Sequence, residues 1–368
     1  MVQNSTDKWF YPGQVWLDTD GKKIQAHGGS VFYLDGVYYW YGENKEKTDG
    51  KNGIWTWGIR FYSSTDLLHW KDEGVIIQPD LADEDSPLNP YHAKLDRPHL
   101  IFNEKTKKYV CWVKIMNEDG TQSETILTAD SILGPYRIVR KNLRPLGMSA
   151  GDFDLAVAPD GKGYYFFERV HSELISADLT EDYTDVTGYY QTHFPKLYPP
   201  FVREGVTHFV RAGKHYLLTS GTTGYLPNSS QAAVGDSWHG PYKVLGDPHP
   251  LDDSHTSYHS QISSVFKVEG KRDLYIALAD RWRPDLMNLP YEQYAKWFQQ
   301  MFDGSLSADE KQQLNRKMRA MGAADEMAPT CDSEYVWLPI RFVDPCKEYP
   351  DGMVFIDWKD QWSLDEYE

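Results

Sequence analysis

The sequence predicts an all-β fold, a five-bladed β-propeller with a short helical insertion in its last blade. Three observations carry that reading. A pattern of a small or acidic residue, an apolar run, a short polar turn and an aromatic strand recurs five times. The copies start at residues 28, 96, 152, 204 and 260, so they lie 68, 56, 52 and 56 residues apart. Aromatic residues make up 14% of the chain and gather in these predicted strands, whose half-buried faces favour them. Five units of about four strands each fit a ring of blades, whereas a β-sandwich would need the spacing to be fortuitous.

The first copy runs from Gly28 to Tyr41 and turns at Asp35-Gly36. The second runs from Asp96 to Asn103, turns at Glu104 to Lys108 and continues from Tyr109 to Val113. The third pairs Asp152–Val157 with Tyr164–Phe167 across Pro159-Asp160-Gly161. The fourth pairs Glu204–Val210 with Tyr216–Thr219 across Ala212-Gly213-Lys214, and the fifth pairs Ser260–Phe266 with Leu274–Ala277 near Gly270. Asp-Gly and Gly-Lys between apolar runs are hairpin chemistry. A third strand is echoed at Ser63–Asp66, Leu127–Asp130, Ile175–Asp178 and Ala233–Asp236. Long loops are expected at 42–54 and 80–94. From Tyr291 to Met321 the periodicity turns helical, and Ser307-x-x-Glu310 is a capping box. We read an insertion at about 288–325, a pair of helices on one face that walls the site, within a single domain spanning 1–368. Strand sequence resumes at Tyr335–Leu338 and Met353–Ile356 and completes the fifth blade.

Composition narrows the function. The chain has 38 Lys and Arg against 54 Asp and Glu, a net charge of −16. That opposes binding to nucleic acid or to an anionic membrane. No run of about 18 apolar residues predicts a membrane-spanning helix. Three cysteines, Cys111, Cys331 and Cys346, make no disulfide framework and suit a reducing compartment. Met1 to Lys8 has neither the basic nor the apolar region of a leader, so a cytoplasmic protein is expected, or a secreted one if a leader has been removed. There is no HExxH, no zinc spacing of cysteines, no dinucleotide fingerprint and no phosphate loop. No metal and no cofactor is expected, although a channel lined by oxygen ligands leaves a structural Ca²⁺ open.

In a propeller the innermost strand of each blade begins near the central channel, so equivalent starts converge. Here they carry His27, Asp96, Asp152, Glu204 and Gln261. Three carboxylates in one cavity repel, and at least one pKa should rise. Acid catalysis on a glycosidic bond needs that: one protonated carboxyl for the leaving oxygen and an ionised group opposite. An Asp opening a strand is commonly a turn residue, which weakens the case for Asp96. Glu204 follows Pro199–Arg203 with no local capping role, which strengthens its case.

Several stretches also carry a family resemblance: Asp18–Gly21 followed by Ala26–Gly29, Tyr38–Asn44, Arg97–Asn103, Leu217–Gly224, Asp280–Trp282 and Tyr335–Pro339. In these the chain resembles glycoside hydrolase family 43, and within it the exo-β-1,3-galactanase branch, over nearly its whole length apart from the helical insertion. The resemblance implies an inverting, exo-acting β-galactosidase whose partner is an oligosaccharide or polysaccharide of arabinogalactan type. An α-L-arabinofuranosidase, a galactofuranosidase and a non-catalytic carbohydrate-binding propeller are the alternatives. It implies that Glu204 is the general acid and that Asp152 orients it and tunes its pKa. The first-blade place that holds an Asp base in most of the family reads Ala26-His27-Gly28-Gly29, and Gln261 falls where the branch holds the attacking water. Glu43, Asp96, His27 and Thr223 are implied around the sugar. The chain departs from the branch at Asp96, commonly Glu there, at Gly151-Asp152, commonly Arg-Asp, and at Gly205-Val206, commonly Ala-Pro.

Overall fold

The computed structural model describes residues 2–3 and 8–368. The reading of the N-terminus as lacking a leader rests mostly on residues outside that range. Five four-stranded antiparallel sheets follow one another along the chain. Blade I comprises His27–Leu34, Val37–Glu43, Ile59–Ser64 and Lys71–Ile77. Blade II comprises Lys94–Asn103, Lys108–Met116, Gln122–Ala129 and Arg137–Leu143. Blade III comprises Ala150–Val157, Gly163–Arg169, Glu173–Leu179 and Val186–His193. Blade IV comprises Arg203–Arg211, Lys214–Gly221, Gln231–Gly235 and Lys243–Gly246. Blade V comprises Gln261–Lys267, Tyr275–Arg281, Glu334–Val343 and Met353–Ile356. The innermost strands touch in the cyclic order I, II, III, IV, V, I, so the ring closes as a five-bladed propeller.

Local chemistry explains the hairpins. Asp35 and Gly36 both adopt positive φ, as do Ala212 and Gly213, the pairing that a two-residue turn between twisted strands requires. The apolar cores lie between consecutive blades, with Trp112, Phe153 and Tyr165 between II and III and Tyr41, Phe61 and Cys111 between I and II. The largest core joins blades IV, V and I around Trp16, Trp40 and Trp337. The N-terminal segment strengthens that closure. Phe10 pairs with Trp362 through backbone bonds and stacks on its ring at 4.2 Å, while Gly13 donates its amide to Tyr335 O at 2.7 Å. All three cysteines are free. Among the described residues no helix is long and apolar enough to cross a membrane.

The expected helices lie between the second and third strands of blade V. They are α1, Tyr291–Phe302, and α2, Ala308–Ala320. Ser307 caps α2, with Glu310 returning the bond to the Ser307 amide. The pair forms its own small core of Tyr294, Trp297, Met318 and Ala323, which also takes in Leu226 from the blade IV loop.

Candidate active site

Each innermost strand loses register close to its start, between His27 and Ser30, Asp96 and His99, Ala150 and Phe153, Glu204 and Thr207, and Ile262 and Ser264. Bulges re-aim side chains and sharpen the twist. At three of them a residue takes positive φ: Gly28, Arg97 and Gly205. The repeat therefore delivers one irregular strand start per blade to the same end of the ring.

A cleft of about 220 Å³ opens there, lined among others by Glu43, Asp96, Asp152, Glu204 and Gln261. Asp152 stands at its centre. Lys114 Nζ is 2.6 Å from its Oδ1, Arg97 Nη2 is 3.1 Å from its Oδ2, and the Gly205 amide donates to Oδ2 at 3.1 Å. Burial alone would raise the Asp152 carboxyl, but the two cations and the amide outweigh it and hold it at about 2. Glu204 is set the other way. Burial, then the negative charges of Asp152 and Glu168, push its carboxyl well above the ordinary value. One carboxyl is thus held below its usual range and the other pushed above it, a separation that suits an acid and its partner.

The rest of the floor is polar and interlocked. Glu43 Oε2 lies 2.6 Å from Lys45 Nζ, and its Oε1 accepts from the Arg97 amide at 3.0 Å. Burial raises Glu43 to about 7 against the pull of Lys45. Burial also opposes ionisation of Asp96, but Lys114, Lys45 and the Trp55 indole, which donates at 2.6 Å, hold Asp96 below its usual value. The Gln261 amide oxygen accepts from Arg97 Nη2 at 2.5 Å and from Trp282 Nε1 at 3.2 Å, while its nitrogen donates to Ser220 Oγ at 2.8 Å. A guanidinium and an indole N–H can only donate. An imidic-acid tautomer, with its proton on that oxygen, would face two donors and no acceptor, so the pocket favours the amide form. That leaves one Gln261 N–H for another acceptor.

Two implied sugar-binding residues do not line the cleft. His27 is fully buried, with Nδ1 2.9 Å from Asp280 Oδ1 and Nε2 3.2 Å from the Tyr335 hydroxyl, and its ring stacks on Tyr335. Burial keeps the imidazole below its usual value despite Asp280. Asp280 also accepts from the Gly28 amide, so His27 belongs to the seam between blades I and V. Thr223 is likewise fully buried; its hydroxyl donates to Leu226 O and accepts from Asn228 Nδ2, bracing the blade IV loop. Its neighbour Thr222 lines the cleft instead. Blade I reaches the site through Glu43, at the end of its second strand, and not through its first strand.

The sequence pattern assigned no role to Lys45, Lys114 or Arg97, nor to the aromatic arc of Trp55, Tyr225 and Trp282. Trp55 stacks on Tyr225 at 5.4 Å, and Tyr225 lies 5.0 Å from Trp282. All three sit on loops or just past a strand end, so strand periodicity does not mark them. Asp325, from the far end of the insertion, also lines the cleft and accepts from the Tyr225 amide at 3.2 Å. Among the described residues no group of three or more His, Cys, Asp or Glu is arranged to hold a metal ion.

A comparison with curated proteins gave no match. Among solved structures, one described as a GH43 β-1,3-galactosidase is 28% identical over 98% of this chain, with a TM-score of 0.74; this chain spans 64% of its length. A second β-1,3-galactosidase of the same description, solved with galactodeoxynojirimycin, is 26% identical over 96% of this chain and 100% of its own, again with a TM-score of 0.74. An exo-β-1,3-galactanase from Clostridium thermocellum is 22% identical over 97% of this chain and 67% of its own, with a TM-score of 0.73, and at that identity the likeness is one of fold. The model for glycosyl hydrolases family 43 matches residues 23–298, which include the first strand of every blade and Glu43, Asp96, Asp152, Glu204 and Gln261 of the cleft. With a propeller fold and a family match over most of its length, the chain belongs to family 43 of the glycosyl hydrolases and is a glycosidase.

Proposed function

We propose that the protein is an inverting, exo-acting β-galactosidase that removes terminal galactose from β-1,3-linked galactan or arabinogalactan-type glycans. The carrying observation is the opposed shift of two carboxyls in one cleft: burial and neighbouring negative charge push Glu204 up, while Arg97 and Lys114 hold Asp152 down. Glu204 gives its proton to the glycosidic oxygen as the bond to the anomeric carbon breaks. Asp152 keeps that proton available through its charge and fixes the strand through the Gly205 amide. Water attacks the opposite face in one displacement, without a covalent intermediate. The Gln261 N–H and the Asp96 carboxylate position the water and the sugar hydroxyls, with Glu43 at the floor. The amide setting of Gln261 favours positioning over proton removal. No step calls on a metal or cofactor. The preference for galactose rests on the described activity of the two β-1,3-galactosidase structures.

Product analysis on β-1,3-galacto-oligosaccharides, arabinogalactan oligosaccharides and nitrophenyl glycosides tests this reading. Release of single galactose units from the non-reducing end is expected. Release of arabinose or galactofuranose alone would overturn the sugar assignment. Binding of galactan with no product would overturn the enzyme in favour of a carbohydrate-binding propeller.

A further inference from the structure

The helical insertion does more than cover the blade V edge. Phe298 and Phe302 of α1 both line the cleft, and their i, i+4 spacing sets them on one face of the helix. The helix is firmly seated. Its Tyr294 and Trp297 are buried against Met318 of α2 and Leu226 of blade IV, and the Tyr294 hydroxyl donates to Pro227 O at 2.5 Å. Phe298 packs on that core from the cleft side, whereas Phe302 remains 41% exposed. A large apolar ring held open to solvent on a rigid element, beside a polar cleft, is a surface that a sugar C–H face can cover.

Its position relative to the acid is fixed by a chain of contacts. The Phe302 ring meets the His171 ring edge-on at 4.7 Å. His171 also lines the cleft, and its amide donates to Glu168 Oε1 at 2.7 Å. The other Glu168 oxygen packs so closely on Gly151 that a Cβ there would stand 2.2 Å from it. Gly151 adjoins Asp152, which holds the Gly205 amide next to Glu204. The insertion therefore faces the acid's side of the cleft. Of the floor, Glu43 is bound to Lys45 and Gln261 to Trp282, while Arg97 bridges Gln261 and Asp152. A general acid stands beside the oxygen of the leaving group, so the ring beside the acid meets the sugar being released.

We propose that Phe302, backed by Phe298, is the platform for the leaving-group sugar, the residue on the reducing side of the cleaved bond. This rests on the galactosidase reading above. Through the platform the insertion binds the part of the glycan that a galactose-sized pocket alone cannot hold, and it favours a saccharide over a small leaving group.

The test compares β-1,3-galactobiose, which fills the platform, with β-galactosyl fluoride, whose leaving group does not reach it. Phe302→Ala should lower the ratio of kcat/KM for galactobiose over that for the fluoride by ~10-fold, mainly through KM, the scale of one aromatic contact. Phe302→Trp should keep that ratio, because the ring is retained. Phe302→Leu, which preserves apolar bulk in case the alanine variant folds poorly, should lower it as well. Phe298→Leu should lower it less. An unchanged ratio in Phe302→Ala and Phe302→Leu, or an equal fall on both substrates, overturns the platform while leaving the galactosidase reading intact. A wild-type protein inert toward both substrates overturns the galactosidase reading and this subsite with it.

Discussion

The Gly205 amide donates to Asp152 Oδ2 across 3.1 Å, tying the strand that carries Glu204 to the carboxylate of the neighbouring blade. The contact couples geometry to charge, because Asp152 also raises the affinity of Glu204 for its proton. Neutralising it by Asp152→Asn removes that negative charge, so the Glu204 pKa falls. The acid then loses its proton at lower pH. The basic limb of the kcat/KM profile should move to lower pH, together with a fall in kcat. A basic limb that stays in place would sink the coupling.

Glu204→Gln keeps the shape and removes the proton. Hydrolysis of an oligosaccharide should fall by ~10²–10⁴-fold, the usual worth of a general acid. A substrate that leaves without protonation, such as β-galactosyl fluoride, should be spared most of that loss. Equal losses on both would assign Glu204 to binding.

The stereochemistry follows from a single displacement. Proton NMR of a fresh digest of a β-linked galactoside should show the α-anomer first. A β product formed first would mean a covalent intermediate and a retaining enzyme.

Gly205 has φ +57°, and a Cβ there would stand 2.7 Å from Ser220 Oγ and 3.0 Å from Gln261 Nε2. Gly205→Ala should cost about 1–2 kcal/mol from the left-handed backbone alone, read as a lowered midpoint in urea. It should also reduce kcat, since Gln261 lines the cleft and Ser220 accepts from its amide.

Glu168 is buried behind Gly151, and burial raises its carboxyl from 4.5 to about 7 even with the His171 amide donating to it. The folded chain thus holds this proton more tightly than the unfolded one. Its contribution to stability is full below the unfolded pKa and declines as pH rises from about 4.5 toward about 7. Glu168→Gln stays neutral and still accepts from His171. The variant should lose less stability than the wild type between pH 5 and pH 7 in urea titrations. Parallel curves would show that Glu168 does not titrate in this range.

Much of the ring could be read from the chain, because a blade is a local object. Asp35-Gly36 and Ala212-Gly213 specify their hairpins through residues that tolerate positive φ, and Ser307 with Glu310 specifies the start of α2. The five convergent starts were also legible, because repetition alone brings equivalent positions to one end of a closed ring. Asp96, Asp152, Glu204 and Gln261 accordingly meet in the cleft. The same logic misled at His27, which occupies an equivalent start but turns into the seam to bind Asp280. The family resemblance pointed to Thr223, but there the hydroxyl braces a loop and its neighbour Thr222 lines the cleft.

The sequence by itself determined the number of blades, their order, the inserted helices and which carboxyls converge, since each depends on periodicity, turn residues and spacing along the chain. Only the tertiary structure decided which carboxyl is pushed up and which is held down. That choice depends on Lys114 and Arg97 reaching Asp152 while Glu204 is left without a cation of its own at that distance. It likewise decided that loop aromatics and Phe302 of α1 wall the cleft, residues that no strand pattern marks. Charge state and wall composition arise from distances between blades, and those distances are set by the closed ring, not by any one segment of the chain.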